Sequence, residues 1–193
     1  TIKSFSLGIP KEKLLIVGHP GFEKLKLSRI NKSNSILFID QPIRKLYNNK
    51  LGYNEYTVLK LLKRCQKMMP NIINKIDCCL HPSSCHSEYF YRKNNIKIKK
   101  YNINIFDNYK IITGMFSTLL VEAFLRGKHV ITIQPSSNKD KCVLSQKKMI
   151  KKISSFYNLK TELKSKFILS NYTFKNEIQL STNRIINILE KNE

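Results

Sequence analysis

Acidic residues are scarce in this sequence: 13 Asp and Glu stand against 35 Lys and Arg, giving a formal charge of +22 and a pI near 9.9. That balance favours phosphate-bearing ligands, acidic polymers or anionic membrane surfaces as partners. No apolar run approaches the length of a membrane span, which excludes a bilayer-crossing helix. There is no CxxC pair, and the five cysteines, Cys65, Cys78, Cys79, Cys85 and Cys142, are odd in number. No basic start, apolar stretch and small-residue cleavage site mark a secretory leader, so the expectation is a reduced, cytoplasmic protein. No repeat and no low-complexity tail interrupts the chain. Because it begins at Thr1 rather than Met, it reads as a piece cut from something longer. The lysines are spread over the whole chain and accompanied by an excess of Asn and Ile. The charge is therefore read mainly as compositional drift, with a weak peripheral pull toward anionic membrane as its consequence.

What is present is the material of a globular α/β domain. The 193 residues, 41% of them hydrophobic, suffice for one domain with a proper core. Short apolar runs at Leu14–Val17, Ser35–Ile39, Lys75–Leu80, Lys110–Thr113 and His129–Ile133 read as strands. Ile96–Lys99 alternates and reads as a half-exposed strand near an edge. Between them lie helical patterns. Val58, Leu61, Leu62, Cys65, Met68 and Met69 recur at helical spacing from Tyr53 to Met69, with Asn54 as N-cap and Pro70 as the stop. Further helices are expected over Phe116–Arg126, ended by Gly127, over Val143–Tyr157 and over Phe174–Lys191, with a loop from Asp40 to Gly52. Strands alternating with helices predict a Rossmann-like, doubly wound parallel sheet, residues 1–193 forming a single α/β domain.

In such sheets ligands bind at the carboxyl ends of the strands. The residues that follow the predicted strands are Gly18-His19-Pro20, Asp40-Gln41, His81-Pro82-Ser83-Ser84, Gly114 to Thr118 and Gln134 to Ser137. They are rich in hydroxyls and histidine, and Asp40 is their one acid, an array suited to phosphate. The strongest segment runs from Ile111 to Gln134. Gly114 allows close backbone approach, and Ser117 and Thr118 open a helix whose free N–H groups and positive dipole end favour an anion. An N-cap role for Ser117 explains one hydroxyl, but not the glycine, the Ser-Thr pair and Glu122 together. His81, held extended by Pro82, has the chemistry to donate to a phosphate or to protonate a leaving oxygen; its position alone fits an ordinary loop histidine better. Cys78, Cys79, His81, Cys85 and His86 crowd together in no standard zinc spacing, so Cys78 and Cys79 read as apolar strand-end residues and no metal is expected.

Ile36 to Pro42, the Tyr53–Met69 helix, the strand before His81-Pro82 and the segment Gly114 to Ala123 (GMFSTLLVEA) resemble, in order and spacing, the C-terminal half of bacterial sialyltransferases and polysialyltransferases. The likeness covers roughly Leu14 to Gln134. It implies the donor domain of a two-domain GT-B glycosyltransferase. His81-Pro82 would meet the phosphate of a CMP-sugar, with His81 able to protonate the leaving CMP. Ser117 and Thr118 would hold the phosphate or the sugar carboxylate, with Gln41, Gly114 and Glu122 completing the motifs. The implied partners are a nucleotide-sugar donor and a surface-glycan acceptor, as in capsule or lipooligosaccharide synthesis, with no specific nucleic acid. The chain departs from that family in having no room for the N-terminal acceptor domain and in placing Ser83-Ser84 where a basic residue follows the "H-P" pair. Only Glu55 and Asp40 stand near the motifs as candidates for the base. A nucleotide-sugar epimerase, a polyol-phosphate transferase, a basic nucleic-acid-binding module and a non-catalytic remnant remain the competing readings.

Overall fold

The computed structural model describes residues 20–22, 25–28, 33–48, 50–84, 88–135, 139–165 and 181–190. The chain divides into two compact units. One spans residues 26–169 and holds the sheet. The other comprises 1–25 and 170–193, of which a 3-10 turn at Pro20–Phe22 and one helix are described.

Within the larger unit the elements run β1 (Ser35–Ile39), α1 (Ile43–Tyr47), α2 (Glu55–Met68), β2 (Lys75–Cys79), α3 (Glu88–Lys93), β3 (Lys97–Lys99), β4 (Ile111–Gly114), α4 (Thr118–Leu125), β5 (His129–Ile133), α5 (Val143–Gln146), β6 (Lys152–Ile153) and α6 (Phe156–Lys164). The helix of the smaller unit is α7 (Ser181–Glu190). All six strands are parallel, in the order β3-β2-β1-β4-β5-β6. The fold is thus the Rossmann-like α/β sheet that the alternation of elements predicts.

Sequence pattern and place in the sheet agree strand by strand. β1 and β5 are buried at every position, as strands covered on both faces must be. β3 pairs with β2 alone and carries lysines beside Ile98, the dress of an exposed edge. Ile36, Phe38, Ile76, Cys78, Ile131 and Ile133 point to one face and pack with Val58, Leu62 and Cys65 of α2 and Leu159 of α6. The alternate residues face the other way, where Leu120 of α4 comes within reach of Gly114.

Asn54 caps α2 as expected, its side chain accepting the Tyr56 and Thr57 N–H groups at 3.1 Å. Met68, expected on the buried face, is 53% exposed, and Leu59 is buried instead. At 100° per residue Met68 lies about a third of a turn from Leu62, the centre of the buried face. α1 was not expected at all. It lies in the Asp40–Gly52 stretch and ends where Asn48 enters the left-handed region at φ 41°.

The expected helix from Val143 to Tyr157 is a larger departure, for it is three elements. Lys148 turns left-handed at φ 58°, Ile153 pairs with Ile133, and Ser155 restarts a helix by accepting the Asn158 N–H at 3.2 Å. The free edge of β5 recruits this segment, and strand pairing overrides its helical periodicity. The expected strand at Leu14–Val17 lies outside the described residues, as do Cys85, His86 and residues 174–180 and 191 of the expected C-terminal helix.

Candidate active site

The order of the strands reverses between β1 and β4, since chain order runs outward from that pair on both sides. Carboxyl ends diverge at such a switch point and leave a crevice. Two expected segments meet there. The Oε1 atom of Gln41, just after β1, accepts the Phe116 N–H, just after β4, at 2.8 Å. This bond joins residues 75 positions apart in the chain. Gly114 makes the approach possible: a Cβ there would stand 3.0 Å from the Ile39 carbonyl oxygen and 3.3 Å from the Ile39 Cβ.

Ser117 is the N-cap of α4, its Oγ accepting the Leu119 N–H at 3.2 Å while its carbonyl accepts the Leu120 N–H at 3.0 Å. Capping leaves a good deal unused. Among the described residues the Ser117 and Thr118 amides and the Thr118 hydroxyl have no partner, and Thr118 is exposed. These donors stand at the positive end of α4, beside the crevice, where an anion gains most.

Lys141 brings a cation to the same place, a residue that sequence reasoning missed. Its ammonium lies 5.0 Å from the Tyr47 ring centroid and 6.0 Å from that of Phe116, and the two rings meet edge to face at 5.9 Å. A relay of buried polar groups positions it. Thr132 of β5 donates to the Met115 carbonyl. Gln134 donates to Thr132 Oγ1 at 3.2 Å and to Asp140 at 2.8 Å, and its Oε1 accepts the Lys141 N–H at 3.0 Å. The loop after β5 is thereby tied to the corner after β4. One basic residue among 35 gave no signal in the sequence; its place after a carboxyl end, behind Gln134, was the available clue.

His81 stands at the carboxyl end of β2, two strands from the corner, or roughly 10 Å at the usual strand spacing. Pro82 and Ser83 occupy the middle of a turn closed by the Ser84 N–H on the His81 carbonyl at 2.9 Å. Pro82 itself is exposed. The Ser83 N–H donates to His81 Nδ1 at 3.1 Å. The neutral ring that fits this bond carries its proton on Nε2, leaving that atom as the donor for a ligand. The backbone of His81 is anchored by Asp40, whose Oδ2 accepts the His81 N–H at 3.4 Å. Asp40 is 1% exposed and also accepts the Tyr91 hydroxyl. Burial and the neighbouring charges hold the Tyr91 phenol far above its ordinary pKa, so it stays a donor. Cys78 and Cys79 are buried, and burial raises both thiols, Cys79 to about 11. They pack as apolar residues.

The two glutamates lie elsewhere. Glu122 is in the second turn of α4, buried, with its two carboxylate oxygens sharing the Tyr101 hydroxyl at 3.1 Å and Oε1 also accepting from Arg126 at 3.5 Å. Its oxygens are committed to holding α4 against Tyr101, and we assign it to the fold. Glu55, at the start of α2, accepts the Arg44 N–H at 3.0 Å and so serves the N-terminus of α1, which has no side-chain cap of its own. It is 3% exposed, and we likewise assign it to the fold. Burial, with a lesser contribution from Asp40, raises its pKa above 4.5 against the pull of the Glu55, Arg44 and Ile43 amides. A carboxyl raised in the folded state stabilises fully below its unfolded pKa and loses that contribution as pH climbs through the folded value. Glu55→Gln keeps the acceptor and removes the titration. Thermal unfolding between pH 4 and 8 is expected to show equal midpoints at pH 4 and a variant that unfolds at higher temperature than wild type at pH 7.

Compared with known protein families and with curated protein sequences, the chain matches none. Among the described residues no helix is long and apolar enough to cross a membrane.

Proposed function

We propose that this chain is the donor-binding part of a nucleotide-sugar-dependent glycosyltransferase, with a CMP-sugar such as CMP-sialic acid as donor. The carrying observation is the corner at the switch point, where the free amides of Ser117 and Thr118 and the Thr118 hydroxyl open α4 beside Lys141, which makes no ion pair among the described residues. A CMP-sialic acid donor carries two anions close together, the phosphate and the sugar carboxylate. The corner and Lys141 offer them separate sites, and His81 Nε2 offers a further donor to the phosphate. Transfer is then a single displacement. The acceptor hydroxyl attacks the anomeric carbon, the bond to the phosphate oxygen breaks, and CMP leaves with its new charge met by His81 and the helix start. The hydroxyl proton passes to a base outside the groups described, since Glu55 and Asp40 are buried and bonded.

Calorimetry with CMP and with UDP tests this reading. CMP is expected to bind and raise the unfolding temperature, with UDP at least tenfold weaker. His81→Ala should weaken CMP about tenfold, equivalent to about 1.4 kcal/mol, as expected for one charge-assisted hydrogen bond, and Lys141→Ala should weaken CMP-sialic acid, which carries the carboxylate, by a like factor. Equal binding of CMP and UDP, or variants that bind like wild type, would overturn the assignment.

A further inference from the structure

The outer face of α2 is a cationic stripe. Lys60, Lys63, Arg64 and Lys67 follow at i, i+3, i+4 and i+7, which places them on one side of the helix, opposite Val58, Leu62 and Cys65. They rim a groove of about 240 Å³ between α2 and α3, with Leu59 and Phe90 as its apolar walls. The stripe continues onto α6. Arg64 stacks on the Phe156 ring at 4.2 Å, and Lys160 is close enough to Cys65 to act on its thiol.

Carboxylates on these helices do not neutralise it. Glu88 of α3 is taken by Arg92, Glu162 of α6 faces His129 at 3.6 Å, and Glu55 is buried at α1. The same three helices carry Met68, Tyr89 and Tyr157, which are 53%, 74% and 76% exposed. Lysines beside apolar groove walls, with exposed tyrosine and methionine on the same helices, are the composition that sits at a headgroup layer. The basic and apolar side chains are spread over three helices that cover one face of the sheet, a breadth that matches a planar headgroup layer.

We infer that the α2–α3–α6 face docks on an anionic lipid bilayer. The strand ends lie at an edge of the sheet, not on that face, so docking leaves the crevice open along the membrane plane. The inference does not depend on the donor chemistry, because no residue of the crevice takes part.

Cosedimentation of the chain with vesicles tests it. Vesicles of 30% phosphatidylglycerol in phosphatidylcholine are compared with pure phosphatidylcholine at physiological salt. Binding is expected only to the anionic vesicles, and is expected to vanish in 0.5 M salt. The variant Lys60→Gln/Lys63→Gln/Lys67→Gln should bind about a hundredfold more weakly, at about fivefold per cation near the surface. Lys97→Gln/Lys100→Gln/Lys110→Gln removes the same charge from exposed positions on other elements, and should bind within about threefold of wild type. All six positions are lysines on the surface or its rim, and circular dichroism confirms that the variants fold. Equal losses in the two triple variants would mean that net charge alone attracts the chain, and would overturn the docking face. So would an absence of vesicle binding. Tighter binding of a single-stranded 20-mer than of vesicles, lost in the first variant only, would reassign the face to nucleic acid.

Discussion

Gly114→Ala is expected to lower the unfolding free energy by about 2 kcal/mol, within the usual 1–3 kcal/mol for overpacking, and to weaken CMP by more than tenfold. The reason lies in what the new methyl group meets. Its nearest neighbour is a backbone carbonyl, that of Ile39 at 3.0 Å, with the Ile39 Cβ at 3.3 Å and Leu120 Cδ2 at 3.4 Å. Leu120 can change rotamer, but Ile39 O can retreat only if β1 moves from β4. These strands pair through Ile36↔Ile111, Leu37↔Ile112 and Phe38↔Thr113, so the movement opens the centre of the sheet. It also parts Gln41 from the Phe116 N–H, and with it the alignment of Ser117 and Thr118. Urea unfolding measures the first effect and calorimetry the second. An alanine variant of wild-type stability would show that the crevice is not pinched at Gly114.

Much of this corner is legible in the sequence. Glycine after a strand and a Ser-Thr pair before an apolar helix announce a strand-helix turn, because each residue type answers a local demand of backbone or cap. The same is true of Asn54 and of the buried run Ser35–Ile39. What local patterns do not carry is who meets whom. Gln41 was expected among the binding residues after the first sheet strand, but that it meets Phe116 follows only from the pairing of β1 with β4. Glu122 was expected with the Gly114–Thr118 corner, and Glu55 as a candidate base near the motifs. Their partners Tyr101 and Arg44, separated from them by 21 and 11 positions, give them other work. Ile153 obeyed a helical pattern and a strand pattern at once, and only the open edge of β5 chose between them. Lys141 had the opposite difficulty, being one lysine in a crowd of them until two ring faces singled it out.

Asp40 is where fold and proposed chemistry are most closely joined, and substitutions there separate the two. Asp40→Ala is expected to cost about 3 kcal/mol, since it strands the buried Tyr91 hydroxyl and removes the acceptor for the His81 amide, each loss being worth about 1–3 kcal/mol. Loss of CMP binding in that variant would be ambiguous, because a loosened domain binds nothing well. Asp40→Asn resolves it. The amide oxygen can still accept from Tyr91, which keeps most of the stability. Its NH2 group then faces the His81 N–H, donor against donor, and pushes the His81–Ser84 turn away from β1. The expected signature is a stability loss near 1 kcal/mol with CMP affinity reduced as far as in His81→Ala. Tyr91→Phe should show the converse, a comparable stability loss with CMP affinity near wild type. If Asp40→Asn binds CMP normally, Asp40 serves the core alone and the carboxyl end of β2 takes no part in holding the donor. If both variants behave as expected, the buried carboxylate after β1 is what fixes the histidine after β2, and the site is built across β2, β1 and β4 together.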